Sequence, residues 1–440
     1  MPGILMLFEA LEKEINDYCS ALSEAESLSG SVLVAYEGKI IFNRAYGMAD
    51  IEKNVSNTPQ TIFRIGSITK QFTAAIILRL QEMNLLQITD PIINYLPDYP
   101  NGEKITIHHL LNHSSGIPSF TSFIDYKKSM KLPTTLDDTI HAFKDLPLNF
   151  EPGGKFEYSN SGYLLLSQII EVVMGRTFAS SLEETILHVL GMSQSCQDNH
   201  RRVLKNRASG YEVWGEVLNA EYIDMSVPSG AGAMYSTTED LFLWDQALHS
   251  NKILSKQSYE SMVTAHQDTY GYGVFVYHED INNVSRKVIG HGGGINGFAS
   301  EYRRYVNEEL TIIVLTNVVP ATQPGFIANA IARITLGEKV ELPERYAVID
   351  MDYKQYESYA GEYRIHEEPG ATIKVIIQDG KLYLSDDHWF MFEICPFSKH
   401  EDTVSFFIRG MQGKVVFTGD EVQVDLFGGT KRATKCGENV

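Results

Sequence analysis

Apolar and polar positions change period several times along the chain, and each change predicts a different kind of structure. Residues 8–22 carry apolar side chains at helical spacing among acidic ones, which predicts a helical start. Residues 31–36 and 39–46 are short β-rich runs joined by Glu37-Gly38, the pattern of a hairpin. From Thr61 the period becomes helical again. Residues 67–84 set Phe72, Ala75, Ile76, Leu78 and Leu80 along one apolar flank, and Asp90-Pro91 follows shortly after. Ser67 therefore falls at or just inside a helix N-terminus.

The middle, 106–250, reads as helices and loops, punctuated by Gly116-Ile-Pro118, Glu151-Pro-Gly-Gly154 and Pro228-Ser-Gly230. Strand-like runs return at 272–277, 287–289, 299–305 and 310–316. Strands at both ends of a helical middle predict an α+β domain whose terminal strands share one sheet. Past Leu342-Pro343 come short alternating runs at 373–378, 381–384 after the Asp379-Gly380 turn, 404–408, 414–417 and 422–426. They predict a separate small antiparallel β-barrel or sandwich. The expected division is 1–345 and 346–440, with a linker over about 337–352.

Composition narrows the function classes. A chain of 440 residues exceeds the size at which one core stops growing, consistent with two domains. Apolar (43%) and charged (21%) fractions are those of an ordinary globular protein. The net charge of −19 repels nucleic acid and anionic membrane alike, so neither is an expected partner. No apolar run approaches the roughly 20 residues that cross a bilayer, and no basic region precedes the apolar piece near the start. Cys19, Cys196, Cys395 and Cys436 are widely spaced, with no C-x-x-C, which fits reduced thiols and a cytoplasmic location.

Three elements carry candidate chemistry. The first is Ser67-Ile-Thr-Lys70: residues three apart share a helix face, so the Lys70 amine can reach the Ser67 hydroxyl and, with its pKa lowered, take the proton. The second is Tyr158-Ser-Asn160, where a phenol beside an ammonium can hold a lowered pKa and act as a base, and Asn160 can offer an amide to a substrate carbonyl. The third is His291-Gly-Gly-Gly294, whose glycines let a strand edge approach a ligand and could supply an oxyanion donor; His291 could contact a substrate carboxylate or join a proton relay. Alone, each has a plain structural alternative: a solvated lysine, a helix cap with a packed tyrosine, and a glycine turn with a structural histidine. His109 and His113, four apart, could share a helix face as metal ligands, but no H-E-x-x-H or acidic third ligand accompanies them, and a structural role is expected. No G-x-S-x-G and no phosphate loop occurs.

In their order and spacing the three elements resemble those of the penicillin-recognising serine hydrolases, the group of class C β-lactamases, D-alanyl-D-alanine carboxypeptidases, D-aminopeptidases and related esterases. Phe63-Arg-Ile-Gly-Ser-Ile-Thr-Lys70, Ile105-Thr-Ile-His-His-Leu-Leu-Asn-His-Ser-Ser-Gly116, Glu151-Pro-Gly-Gly154 and 230–240 are similar to stretches of that group, over roughly 29–317. The resemblance implies an antiparallel sheet flanked by helices plus an all-helical region, followed by a lipocalin-like barrel that borders the cleft. It implies Ser67 as the acylated nucleophile, Lys70 as its proton partner and Tyr158 as general base. Asn160 would orient the substrate amide, and the N–H groups of Ser67 and Gly294, in a run whose register also admits Gly293, would form the oxyanion hole. His291 stands where many β-lactamases of the group have Lys-Thr-Gly, which predicts weak carboxylate binding and weak β-lactamase activity. The expected function is hydrolysis of an amide or ester in a small molecule or short peptide, of peptidase or penicillin-binding type, without cofactor or metal. An esterase of the same fold and a non-catalytic ligand-binding relative are the alternatives, and the sequence does not give the oligomeric state.

Overall fold

The hairpin at 31–46 is the seed of the main sheet. In the computed structural model, which describes residues 2–213, 216–319, 322–351, 353–385, 391–426 and 429–436, strands β1 (Gly30–Tyr36) and β2 (Lys39–Tyr46) turn through Glu37 and Gly38, with φ +50 and +72. Positive φ at both turn residues matches the right-handed twist of the flanking strands. Asp352, at the end of the expected linker, and the last four residues of the expected second domain lie outside the described residues. The sheet continues with β3 (Phe275–Ile281), β4 (Val284–Ile295), β5 (Phe298–Tyr305) and β6 (Leu310–Thr316). Its order is β3-β4-β5-β6-β1-β2, all antiparallel. The expected sharing of one sheet by both ends is met by β1 against β6, Gly30 opposite Thr316 and Tyr36 opposite Leu310.

Four helices set the layers: α1 (Pro2–Glu24), α2 (Thr69–Glu82), α3 (Asn160–Met174) and α4 (Pro324–Thr335). Because side chains alternate across a strand, Val32, Val34, Ile312 and Val314 face α1 and α4, meeting Ile15, Leu22, Ile327 and Ile331. Leu33, Ile313 and Leu315 belong to the opposite core, shared with α2, α3 and the helical region. α2 departs from its expected single apolar flank: Thr69 to Leu78 and Leu80 are all buried. Two of its polar side chains make hydrogen bonds inside the protein. Thr73 Oγ1 donates to the Gly230 carbonyl at 2.7 Å, and Gln71 Oε1 accepts from Trp244 Nε1 at 3.0 Å.

The glycine run takes the strand-edge form and not that of its structural alternative. Rather than a turn after a short strand at 287–289, it is the continuation of β4, with His291 opposite Tyr302 and Gly294 opposite Ala299. Four residues of poor strand propensity hid a strand that the ladder to β5 holds in place. Pairing with β3 ends at Gly290, so beyond it β4 presents an edge with no strand partner among the described residues. His109 and His113 do not share a helix face: His109 lies in the short helix Ile107–Leu111, whereas His113 follows its end in the left-handed conformation, φ +58.

The terminal segment is a closed barrel of eight strands, from Gly361–Ile365 to Gly429–Lys435, filled by Tyr363, Phe406, Val415 and Phe417. The segment before it packs on the barrel, Tyr346 against Phe397 with ring centroids 4.0 Å apart and Glu344 paired with Lys414 at 3.0 Å. Gln412 Nε2 donates to Ser27 Oγ at 3.2 Å, tying the barrel to the chain just ahead of β1. Among the described residues no helix is long and apolar enough to cross a membrane. Since Ile76 is wholly buried in α2, Ile76→Ala should lower unfolding stability by about 2–5 kcal/mol. Leu85→Ala, at a residue 48% exposed, should change it by no more than about 0.5 kcal/mol. Chemical denaturation followed by circular dichroism measures both.

Candidate active site

The chain enters α2 through a tight turn, Gly66–Ile68, which leaves Ser67 half-buried at the mouth of the helix while Lys70, one turn on, points into the interior. Lys70 is 0% exposed. Its Nζ lies 3.0 Å from Ser67 Oγ, 2.8 Å from Asn160 Oδ1 and 2.7 Å from the Ala231 carbonyl oxygen. All three partners are neutral. Burial pushes the amine well below the usual lysine range. A neutral amine has two N–H donors, which suit the two carbonyl-type oxygens, and one lone pair, which is left for the Ser67 hydroxyl proton.

Asn160 opens α3 and is held on both sides. Its backbone N–H donates to Ser119 Oγ at 3.1 Å and its Nδ2 to Thr121 Oγ1 at 3.1 Å, which turns Oδ1 toward Lys70. The expected offer of this amide to a substrate is thereby shared with orienting the lysine. Ser159, at the helix cap, makes no side-chain cap bond.

Tyr158 is brought to the same place, its ring centroid 4.8 Å from Lys70 Nζ, with Ser67 as a hydrogen-bond partner. Its charge state is the opposite of the expected one. Enclosure by the rings of His113, Tyr270 and His291, at 4.2, 6.2 and 6.1 Å, pushes the phenol well above its usual range, and the hydrogen bond to Ser67 offsets only part of that. The lowered value expected from the sequence needs a neighbouring ammonium, and a desolvated, neutral Lys70 does not supply one.

His291 is enclosed within β4. It is 4% exposed, its Nδ1 lies 2.5 Å from the Gly292 carbonyl oxygen and its Nε2 lies 2.9 Å from the Tyr270 hydroxyl. The carbonyl can only accept, so Nδ1 carries the proton and Nε2 accepts from the phenol. Burial, reinforced by the nearby Lys70, pushes the imidazole down to about 3. His291 is therefore a buried, neutral side chain of β4 whose two ring nitrogens are already engaged by the Gly292 carbonyl and the Tyr270 hydroxyl.

The glycines serve close approach. A Cβ on Gly293 would lie 2.0 Å from the Ile65 carbonyl oxygen, and one on Gly66, with φ +50, would lie 2.8 Å from Gly294 N. The edge of β4 and the turn carrying Ser67 thus touch backbone to backbone. At Gly294 a Cβ would meet nothing within 4 Å. A cavity of about 1280 Å³ separates the end of the sheet from the barrel mouth, lined by Gly292, Gly293 and Glu301 on one side and Ile373, Leu384 and Met411 on the other. Among the described residues Ser67, Lys70, Tyr158 and Asn160 do not line this cavity, in which the barrel borders the glycine strand.

Sequence reasoning missed Ser119, Thr121, Ala231 and Tyr270. Ala231 contributes only its carbonyl, which no side-chain pattern reveals. A Ser-x-Thr directly after Gly116-Ile-Pro118 was the one available hint for the other polar pair.

The β-lactamase family model matches residues 8–336. Penicillin-binding protein 4* of Bacillus subtilis is 28% identical over 431 residues, covering 92% of this chain and 93% of its own. Teichoic acid D-alanine hydrolase of Staphylococcus aureus is 28% identical over 301 residues, 66% of this chain and 70% of its own. Among solved structures, the octameric penicillin-binding protein homologue from Pyrococcus abyssi aligns with a TM-score of 0.66 at 25% identity, covering 97% of this chain and 99% of its own. The D-amino acid amidase from Ochrobactrum anthropi aligns with a TM-score of 0.62 at 25% identity, covering 73% and 96%.

The buried His291 makes stability depend on pH. Its imidazole takes up a proton near 6.5 when unfolded but only near 3 when folded, so the unfolded state binds the extra proton in between. The contribution is fully present above about pH 6.5 and is lost as the pH falls towards 3. Between pH 6 and 4, His291→Asn should flatten the decline in unfolding free energy by up to ~1.4 kcal/mol per pH unit. Denaturant midpoints at a series of pH values measure it.

Proposed function

The chain belongs to the β-lactamase family and is a serine hydrolase; from that premise we propose that it cleaves amide or ester bonds of D-amino-acyl groups in small molecules or short peptides through an acyl-enzyme on Ser67. The observation that carries the catalytic reading is the placement of Lys70 Nζ, 3.0 Å from Ser67 Oγ and otherwise surrounded by neutral acceptors. In this reading the neutral Lys70 takes the Ser67 proton as Oγ attacks the carbonyl carbon. The oxyanion that develops is received by the N–H groups of Ser67 and Gly294. Tyr158 stays a neutral phenol and relays the proton from the lysine side to the departing amine or alcohol as the tetrahedral intermediate breaks. Water then enters, gives up a proton along the same path and releases the acid.

The substrate class is supported by the relatives' names, a D-amino acid amidase and a teichoic acid D-alanine hydrolase, and by the neutrality of His291. With no cation offered by that histidine, a free carboxylate beside the scissile bond gains little, which favours amidase and esterase chemistry over a carboxypeptidase that must grip a C-terminus. The catalytic part corresponds in this reading to 1–345 and the barrel part to 346–440. The unpaired Cys19, Cys196, Cys395 and Cys436 support a reducing, cytoplasmic setting.

Ser67→Ala should abolish turnover of D-amino acid amides and p-nitrophenyl acetate and remove the fluorophosphonate adduct from the Ser67 peptide, read by mass spectrometry. An adduct of equal yield on that variant would sink the proposal. Tyr158→Phe should retain the adduct and lose on the order of 10²–10⁴ in kcat. Lys70→Arg, which cannot give up its proton near neutral pH, should slow adduct formation itself. Stopped-flow labelling separates the two.

A further inference from the structure

His113 lies in a stretch that the chemistry above does not use, yet it holds the chain on both sides of Tyr158. Its backbone carbonyl accepts from the Glu157 N–H at 2.9 Å, and its ring Nδ1 accepts from the Ser159 N–H at 3.1 Å. Between those two anchors its ring lies against the Tyr158 ring, centroids 4.2 Å apart and planes 37° from parallel. The residue is 1% exposed and sits at φ +58, a backbone conformation that costs a β-substituted residue energy and is kept where the surroundings impose it. Resting on the reading that Ser67 is acylated, we propose that His113 is a positioning residue for the reaction: a clamp whose unprotonated Nδ1 fixes the 157–159 backbone, and with it the Tyr158 phenol, at Ser67.

The hydrogen bonding defines the state of the ring. Since Nδ1 accepts from a backbone N–H, the single proton of the neutral imidazole is on Nε2, and that atom has no polar partner though it is buried. It faces an aromatic enclosure of Phe156, Tyr163 and Tyr270, with centroids at 5.9, 5.2 and 4.6 Å, where an N–H can rest against a ring face. Protonating the ring would set an Nδ1–H donor against the Ser159 N–H donor and add a cation to the pocket shared with Lys70 and His291. Burial and those two bases hold the imidazole well below its usual range. The clamp is therefore locked in its accepting form, and the acceptor atom rather than the ring charge is what the site requires.

Asparagine and glutamine separate the two possibilities, because Asn Oδ1 occupies the place of Nδ1 whereas Gln Oε1 occupies that of Nε2, and asparagine also tolerates positive φ. In the full chain, the rate of fluorophosphonate labelling of Ser67, kcat and KM for p-nitrophenyl acetate, and Tm are measured together for His113→Asn, His113→Gln and His113→Phe. The expected result is labelling and kcat within about threefold of the parent for the Asn variant, with KM unchanged. The Gln and Phe variants should lose at least about tenfold in both, on folded protein of similar Tm. Equal rates in all three, loss in the Asn variant, or a fall that merely tracks Tm would overturn the assignment. Failure of the parent itself to label on Ser67 would instead remove the acyl-enzyme reading on which the assignment rests.

Discussion

A lysine amine enclosed in a dry interior with only neutral partners is the constraint on which the rest of the structure depends. An ammonium there would be strongly disfavoured, and among the described residues no carboxylate is paired with it, so burial favours the free amine. That state is chemically useful only if the lone pair meets a proton it can remove. Ser67 Oγ at 3.0 Å meets that condition, and Asn160 Oδ1 and the Ala231 carbonyl occupy the two remaining directions. Water excluded from one side of α2 would not suffice. The burial of that helix around nearly its whole circumference, unusual for a segment with Lys70, Gln71 and Thr73 within about one turn, is what keeps the amine dry.

The same constraint explains why part of the site was legible in the sequence and part was not. Ser67, Lys70 and Tyr158 stood out because their spacing and flanking glycines form motifs that could be matched. The charge on Tyr158 did not, since it depends on whether Lys70 is charged, and that depends on burial that three segments create together. His291 read as a possible carboxylate contact for a similar reason: only the Tyr270 hydroxyl, twenty-one residues away, reveals that its Nε2 is already occupied. His113 looked like an idle partner of His109 because a helical period was assumed to continue past Leu111, whereas the chain leaves the helix there.

At the level of the fold, β-rich apolar runs exposed β1 and β6, which have a core on each face, and alternation exposed most of the barrel strands, which have one face inside the barrel. The barrel strands Gly361–Ile365, Met391–His400 and Gly429–Lys435 are not marked by such a pattern; the last two show why. Pro396 interrupts Met391–His400, beside a shift in its pairing register, and Gly429–Lys435 has mostly exposed side chains with Ala433 as its buried residue. Closure of the barrel, rather than their own composition, makes these segments strands. β4 is the same lesson nearer the site, where the ladder to β5 extends a strand through three consecutive glycines.

Those glycines join the fold to the chemistry. Each weakens a strand, since it has more conformational freedom to lose and nothing to pack. Here the loss is offset by a contact that no other residue permits: Gly293 against the Ile65 carbonyl and Gly66 against Gly294 N. The consequence is a direct mechanical link between the turn carrying Ser67 and the central sheet. β4 takes its register from β5, β5 from β6, and β6 from β1, so the position of Gly294 beside Ser67 is fixed by pairing between the beginning of the chain and a strand close to residue 316. A sheet that unites distant ends of the sequence thus helps to set the geometry around Ser67: a shift of one residue in any of those pairings would turn every side chain of that strand to the wrong face and carry the glycine edge away from the serine.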